Sequence, residues 1–152
     1  MKKLLFLLPV LFFLGACTSA EKGSLDRSIL SKKVFDTVKS GDTEKFRMLI
    51  PDRESYERYF HLKQVEPSTF DSVYAAMRDT LLVNFQQFID SYDQWDLAVY
   101  ANTQETQEKS DNIIEALITT KFKVGDEVRK YSFTANKLNG RWYVTGDFAW
   151  VK

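Results

Sequence analysis

The hydrophobic period changes once along this 152-residue chain, near Trp95, and this change restricts the fold more than any other feature. Before Trp95 the apolar residues recur at steps of three and four, which is typical of amphipathic helices. After Trp95 they alternate with polar residues, which is typical of half-buried strands. Helices followed by an antiparallel meander predict the α+β class, with the N-terminal helices packed on one face of a curved antiparallel sheet.

Three short helical segments and one long segment are predicted before Trp95. The first should end at Gly41, which can adopt a positive φ, and the second should begin at Asp42 or Thr43. Pro51 is predicted to open a third helix as its first residue, and a long helical segment runs from Pro67 to Tyr92. The apolar residues at helical spacing are Leu30, Val34, Val38, Phe46, Leu49, Ile50, Phe70, Val73, Met77, Leu81, Phe85 and Phe88.

Four strands are predicted after Trp95. The first is short and places Leu97, Val99 and Ala101 on one face, and the polar run from Asn102 to Asn112 is predicted to be an exposed loop. Asn139-Gly140 is the strongest hairpin signal in the chain. The residues predicted to face the core in the other three strands are Ile114, Ala116, Ile118, Thr120, Phe122 and Val124, then Tyr131, Phe133 and Ala135, and finally Trp142, Val144, Gly146, Phe148 and Trp150.

Two stretches at the ends of this layout resemble the nuclear transport factor 2-like, or cystatin-like, superfamily. VFDTVKSGDTEKF, residues 34–46, is similar to the opening helix of that superfamily, its glycine-aspartate break and its second helix. LNGRWYV, residues 138–144, is similar to its closing hairpin. The resemblance implies a cone-like α+β domain that encloses a pocket, in a superfamily of enzymes, ligand binders and interaction domains. The long third helical segment departs from the usual pattern.

The first sixteen residues have the three-part layout of a secretory signal. Lys2 and Lys3 are followed by an apolar run from Leu4 to Leu14 and by the small residues Gly15 and Ala16. The apolar run is shorter than the roughly 20 residues that a membrane-spanning helix needs. Residues 1–16 are therefore expected to be a cleaved signal peptide.

Leu14-Gly15-Ala16-Cys17 resembles the lipobox of bacterial lipoproteins. In that family the cysteine sulfur receives a diacylglyceryl group, a peptidase cuts before the cysteine, and the new amino group is usually acylated. The resemblance implies cleavage between Ala16 and Cys17 and lipidation of Cys17. The alternative is an ordinary signal peptide whose cysteine falls at the cut. No other cysteine exists, so a disulfide within the chain is impossible in either interpretation.

The residues after Cys17 are small and polar. Thr18 to Ser24 is predicted to be a flexible tether, so that residues 17–24 link the lipid to a single domain over residues 25–152. The lipoprotein resemblance implies a location in the cell envelope. In that family an aspartate directly after the cysteine retains a protein at the inner membrane, and Thr18 at this position favours the outer membrane.

Charge and motifs exclude several functions. Loss of Lys2 and Lys3 takes 21 basic residues to 19 against 21 acidic ones, and no basic cluster suits nucleic acid. One histidine and one lipidated cysteine make a zinc site improbable. No glycine-rich phosphate loop, dinucleotide fingerprint or calcium-loop pattern is present. The sequence therefore predicts no cofactor and no metal, and the partners expected are the membrane, an envelope protein or a small apolar ligand.

Three residues are weak candidates for chemistry, and none is assigned a catalytic role. His61 is the only histidine, on the predicted helix after Pro51, where a partly exposed side chain is the simpler interpretation. Tyr143 and Asp147 share one face of the last predicted strand with Arg141, which is either the solvent face or a polar pocket wall.

The aromatic residues provide the last functional indication. Most lie on the apolar stripes and should fill the core. The alternative is that some line a pocket mouth or a partner surface, namely Tyr56, Tyr59, Trp95, Trp142 and Trp150. We expect a membrane-anchored lipoprotein with a non-enzymatic binding or interaction domain, the alternative being a small-molecule isomerase or dehydratase-like enzyme.

Overall fold

The computed structural model describes residues 21–62, 66–110 and 114–152, with the side chains at 61, 62, 67 and 105–110 excepted. These residues form four α-helices followed by five strands, which confirms the predicted α+β class and its order. The helices are α1 (Arg27–Ser40), α2 (Thr43–Arg47), α3 (Arg53–Leu62) and α4 (Phe70–Asp90). The strands are β1 (Val99–Ser110), β2 (Ile114–Val124), β3 (Glu127–Leu138), β4 (Arg141–Val144) and β5 (Ala149–Val151).

The ends of the short helices follow from local chemistry. The Asp26 carboxylate accepts the first N–H groups of α1, and Gly41 ends that helix at a φ of 64°. Asp42 caps α2 as predicted, by accepting the N–H of Lys45. Pro51 was expected to be the first residue of α3, but the cap is Asp52, whose carboxylate accepts the N–H of the third residue after it. The proline therefore lies one residue before the cap.

The long helix forms as one unbroken element, preceded by a short 3-10 turn at Pro67–Thr69. Its predicted apolar stripe is largely buried, and Phe70, Leu81, Phe85 and Phe88 each have at most 6% of their surface exposed. Val73, which was placed on the same stripe, is 38% exposed. The first two turns of α4 therefore lie beyond the edge of the main core.

The five strands form one antiparallel sheet in the order β1-β2-β3-β4, and β5 also pairs with β3. The β2–β3 pairing runs without a shift from Ile114↔Lys137 to Val124↔Glu127 around the predicted Gly125 turn. Asn139 and Gly140 both have positive φ, at 51° and 79°, as a two-residue hairpin requires. The predicted inner face of β2 and β3 is the face that packs under the helices.

The predicted loop from Asn102 to Asn112 is wrong over residues 102–110, because the chain continues there as strand β1 to Ser110. Residues 111 and 112 of the predicted loop lie outside the described residues. Register shifts occur between Tyr100 and Asn102 and again between Thr103 and Glu105. Each inserted residue turns the following side chains to the opposite face, which removes the alternation from the sequence. An edge strand with one partner also needs no apolar face of its own.

The short strand expected over Leu97, Val99 and Ala101 is also wrong in its facing. Leu97 lies in a 3-10 turn and is 60% exposed, and Val99 is 63% exposed. The side chains that face the helices are those of Ala98, which is fully buried, and Tyr100, whose ring contacts Phe35.

The last predicted strand is divided into β4 and β5. The N–H groups of Thr145 and Gly146 both donate to the carbonyl of Thr134, at 3.0 and 3.2 Å, and the chain bends there before pairing resumes. A Cβ at Gly146 would lie 2.7 Å from the Cβ of Thr134, so only glycine fits this bend.

Aromatic side chains fill the space between the helices and the sheet. Phe46 stacks on Phe85 with ring centroids 4.0 Å apart. The largest fully buried side chains also include Tyr131, Phe122 and Phe133 from the sheet. Burial of each such ring contributes about 1.5–3 kcal/mol, so this cluster is the main source of stability.

The segment before α1 packs on the domain. Ser24 exchanges two backbone hydrogen bonds with Trp142, at 2.9 and 2.6 Å, and so extends the sheet at the free edge of β4. Gly23 donates to the carbonyl of Met48, and Arg141 binds the Glu21 carboxylate at 3.0 Å. The predicted flexible tether to Ser24 is therefore corrected: its last four residues, 21–24, belong to the folded domain.

Candidate functional site

The predicted lipidation and cleavage residues, Cys17 and Ala16, lie outside the described residues, as does the whole of segment 1–20. His61 lies in the last turn of α3, and its side chain also falls outside the description. These predictions stay predictions. Within the described helices, none combines the length and the apolar character that a membrane span requires.

Neither alternative for Tyr143, Asp147 and Arg141, a shared solvent face or a polar pocket wall, describes all three side chains. Tyr143 is only 3% exposed, because Gly23 lies against its ring. The Arg141 guanidinium is occupied by the Glu21 carboxylate and by the Lys22 carbonyl, at 3.0 and 2.7 Å. Asp147 lies beyond the bend in an exposed position, so Tyr143 and Asp147 do not act together.

The interior contains polar hydroxyls but no acid or base suited to neutral pH among the groups described there. Ser31 and Thr120 share a buried hydrogen bond of 2.7 Å. The Tyr131 hydroxyl lies beside Thr120 and has no hydrogen-bond partner of acceptable geometry. Burial raises the pKa of Tyr131 well above its usual value, so its phenol stays protonated and cannot act as a base.

The carboxyl groups with a lowered pKa have a structural explanation. Hydrogen bonds from the Ser28 hydroxyl and backbone lower the pKa of Asp26, and the Lys45 backbone N–H lowers that of Asp42. Both residues are helix N-caps. Among the described residues, no three His, Cys, Asp or Glu side chains are grouped so that they could hold a metal ion.

A surface groove lies where the C-terminal half of α4 meets the bend and β5, and we name it the Trp150 cleft. Its volume is about 330 Å³, and Trp150 forms one wall. Phe88 and Phe148 supply apolar surface within it. The full lining is Asn84, Gln87, Phe88, Ser91, Asp147, Phe148 and Trp150.

Trp150 is partly exposed, at 39%, but it is held firmly. Its indole Nε1 donates to the Ser91 hydroxyl at 3.1 Å. Its ring stacks on Trp95 with centroids 5.8 Å apart and planes 16° apart, and the Tyr92 ring meets it edge-on at 5.5 Å. One part of the indole is therefore packed, and the rest borders the cleft.

A second groove of about 420 Å³ also has Trp150 in its lining. It is lined by Glu127, Val128, Arg129, Lys130, Trp150 and Val151. Arg129 lies over the Tyr92 ring at 4.9 Å, and its hydrogen bond to Glu127 raises the pKa of the guanidinium. The charged groups of this second groove are the Arg129 and Lys130 cations and the Glu127 carboxylate, whereas the polar groups of the Trp150 cleft are two amides, a hydroxyl and one carboxylate.

The aromatic residues proposed for a pocket mouth divide among three places. Trp150 borders the cleft and Trp95 supports it from within the core, whereas Trp142 is buried with the Arg27 guanidinium 5.5 Å from its ring centroid. Tyr56 and Tyr59 stack at 5.4 Å in a separate cluster between α3 and α4, where burial raises the pKa of both.

Sequence reasoning missed the polar side of the cleft. Asn84, Gln87 and Ser91, the last of which is the C-cap of α4, follow one another at helical spacing beside the apolar stripe of that helix. This row was the available signal, since polar residues at steps of three and four mark one face of α4.

Comparison of the chain with protein-family descriptions, with curated proteins and with solved structures finds no match.

Proposed function

We propose that this chain is a lipid-anchored bacterial envelope protein whose domain is a non-enzymatic binding module. The observation that carries the proposal is the division between a filled interior and an open groove. The space between helices and sheet is occupied by aromatic rings, whereas the Trp150 cleft combines aromatic and polar groups at the surface. Ligand sites commonly pair an apolar wall with a few polar groups that fix orientation.

The anchor rests on the lipobox resemblance of Leu14-Gly15-Ala16-Cys17. A single acyl chain gives only marginal membrane binding, and two or more hold a protein stably. A triacylated Cys17 would therefore keep the domain at the membrane. Thr18 after the cysteine supports the outer membrane as its destination.

The docked N-terminal segment makes the proposed link between lipid and domain short. Glu21 is bound by Arg141, so only residues 18–20 separate the lipidated cysteine from the domain. Four residue steps span at most about 14 Å. We therefore place the Arg141 end of the domain next to the bilayer.

The Trp150 cleft lies toward the opposite end of the sheet. Arg141 pairs with Leu138 on β3, and Trp150 pairs with Tyr131 on the same strand. These two positions on β3 are separated by about 23 Å, at roughly 3.3 Å per residue. The proposed orientation leaves the cleft open to the aqueous phase.

The finer fold assignment is also part of this proposal. The turn at Gly41 and Asp42 separates α1 from α2, and the Asn139-Gly140 hairpin joins β3 to β4. Both features come from the two stretches whose sequences resemble the nuclear transport factor 2-like superfamily. We propose that the domain is a cone-like variant of that superfamily, with its interior filled by side chains.

Metabolic labelling tests the anchor. Cells that express the full chain are grown with a clickable palmitate analogue, and the protein should become labelled and partition into detergent. Cys17→Ser should remove both properties, whereas Ser19→Cys in that background, which moves the cysteine by two positions, should not restore them. Labelling of Cys17→Ser at the wild-type level would contradict the proposal.

Affinity capture tests the binding function. The native protein is solubilised from membranes, and co-purifying proteins and small molecules are identified by mass spectrometry. A specific companion that is lost in Trp150→Ala supports binding through the cleft. Recovery of no companion would contradict the binding module.

A further inference from the structure

We infer that the Trp150 cleft binds a neutral saccharide, with one sugar ring stacked against the indole of Trp150. This inference deepens the proposed binding function and rests on it. A pyranose ring has an apolar face of C–H groups and a rim of hydroxyls. The cleft presents the matching arrangement, an aromatic wall and a polar rim.

The aromatic wall is positioned before any ligand arrives. The hydrogen bond from Trp150 to Ser91 and the stack on Trp95 fix the indole in one orientation. The Ser91 hydroxyl is itself fixed, since it donates to the Phe88 carbonyl at 2.6 Å. A held side chain loses little conformational entropy on binding, which favours affinity for a small ligand.

The polar rim carries groups that suit hydroxyls. The Asn84 amide donates to one oxygen of the Asp147 carboxylate, which joins α4 to the bend. This bond does not use the amide oxygen of Asn84 or the second carboxylate oxygen of Asp147. Among the described residues, nothing is hydrogen-bonded to the side chain of Gln87, although it lines the cleft. An amide offers both donors and acceptors, and a carboxylate offers acceptors, so adjacent sugar hydroxyls can be bound on both sides.

The charge and size of the cleft narrow the ligand class. Asp147 carries the only formal charge in its lining, so an anionic ligand is disfavoured there. The cationic side chains Arg129 and Lys130 lie in the second groove. A purely apolar ligand would cover the Gln87 amide without giving it a hydrogen-bond partner. The volume of about 330 Å³ is at the low end for small-molecule sites, which suits one or two sugar rings.

The test uses the purified full chain in a detergent without a sugar headgroup. A panel of neutral trisaccharides with gluco, N-acetylgluco, galacto and manno configurations is titrated while tryptophan fluorescence and heat of binding are recorded. At least one trisaccharide should bind saturably. Trp150→Ala should abolish that binding. Trp150→Phe keeps a smaller ring but loses the hydrogen bond to Ser91, so it should weaken the binding and lower the thermal unfolding midpoint less than Trp150→Ala does.

The amide has a matched control on the same helix. Gln87→Ala should weaken binding about three- to tenfold, the range expected for one hydrogen bond. Gln86→Ala removes the same side chain from a position that bonds Asp90 outside the cleft, and it should leave binding unchanged. Equal losses in the two glutamine variants would overturn the inference, as would saturable binding that survives Trp150→Ala.

Failure of the whole panel would also overturn the saccharide assignment. Such a result would not touch the anchor or the capture experiment, which do not depend on sugars. A captured peptide or protein that competes for the cleft would replace the saccharide and would leave the binding module standing.

Discussion

Gly23→Ala is the sharpest test of how the domain begins. Gly23 has a φ of +64°, and a Cβ built there would lie 2.7 Å from Cε1 of Tyr143 and 2.8 Å from the carbonyl oxygen of Trp142. One neighbour is a buried ring and the other is backbone, so neither can move away cheaply. The substitution should push residues 21–24 off the edge of β4.

The expected loss in the free energy of unfolding has two parts, backbone strain and steric overlap, and Gly41→Ala measures the first part alone. A non-glycine residue in the left-handed region costs about 1–2 kcal/mol, and overpacking of a tight site costs about 1–3 kcal/mol more. Gly41 has the same φ, +64°, but nothing lies within 4 Å of its Cβ position. Gly41→Ala should therefore cost about 1–2 kcal/mol and Gly23→Ala about 2–5 kcal/mol in the free energy of unfolding.

Urea unfolding of a soluble form that comprises residues 18–152 measures the difference. At a slope near 2 kcal/mol/M, the extra cost at Gly23 lowers the midpoint by about 0.5–1.5 M relative to Gly41→Ala. Equal midpoints would mean that Gly23 is not held against Tyr143. The proposed link between lipid and domain would then be longer, and the orientation of the cleft away from the membrane would lose its support.

Two further predictions concern buried and capping groups. Burial alone would raise the pKa of Asp52, but hydrogen bonds from the Ser55 backbone and hydroxyl lower it below its usual value. The ionised Asp52 carboxylate therefore stabilises the folded state above the unfolded pKa, near 3.9, and this stabilisation is lost as the pH falls through the folded-state pKa. Asp52→Asn keeps the cap, so its urea midpoint should fall less than that of wild type between about pH 7 and pH 3, and parallel falls would refute this. Tyr131→Phe removes a buried hydroxyl without a hydrogen-bond partner and should change the free energy of unfolding by less than about 1 kcal/mol. Ser31→Ala removes the hydrogen-bond partner of the buried Thr120 hydroxyl and should cost about 1–3 kcal/mol. A larger cost for Tyr131→Phe than for Ser31→Ala would show that the Tyr131 hydroxyl is hydrogen-bonded.

The helices could be predicted because their signals are local. A capping carboxylate at Asp42, a glycine at Gly41 and apolar residues at steps of three and four act within a few residues of one another. The long strand β2 was equally accessible, since its burial follows the alternation in its sequence except at Thr119, which is also buried. No contact with a distant part of the chain is needed to recognise these elements.

The errors at Tyr143 and at the cleft arose where distant parts of the chain meet. The burial of Tyr143 depends on Gly23, which is 120 positions earlier and looks like part of a polar tether. The polar rim of the cleft joins Asn84 on α4 to Asp147, 63 positions apart in the chain. Period and capping rules do not specify such pairs, so the cleft could be seen only once the fold brought its two sides together.

The last predicted strand is divided into β4 and β5, yet its predicted inner face is retained. The same division positions Trp150 in the cleft. In the β3–β4 pairing the numbers of two paired residues add up to 279, as in Ala135↔Val144. In the β3–β5 pairing they add up to 281, as in Tyr131↔Trp150. The bend therefore inserts two residues, and an even insertion keeps Trp150 on the same face as Val144. The predicted inner face holds even though the strand is interrupted. The insertion also moves Trp150 along β3 by about 7 Å relative to an unbroken strand, which sets it opposite Tyr131, within reach of Ser91. Gly146, where no side chain fits against Thr134, is thus the residue that allows the cleft to form.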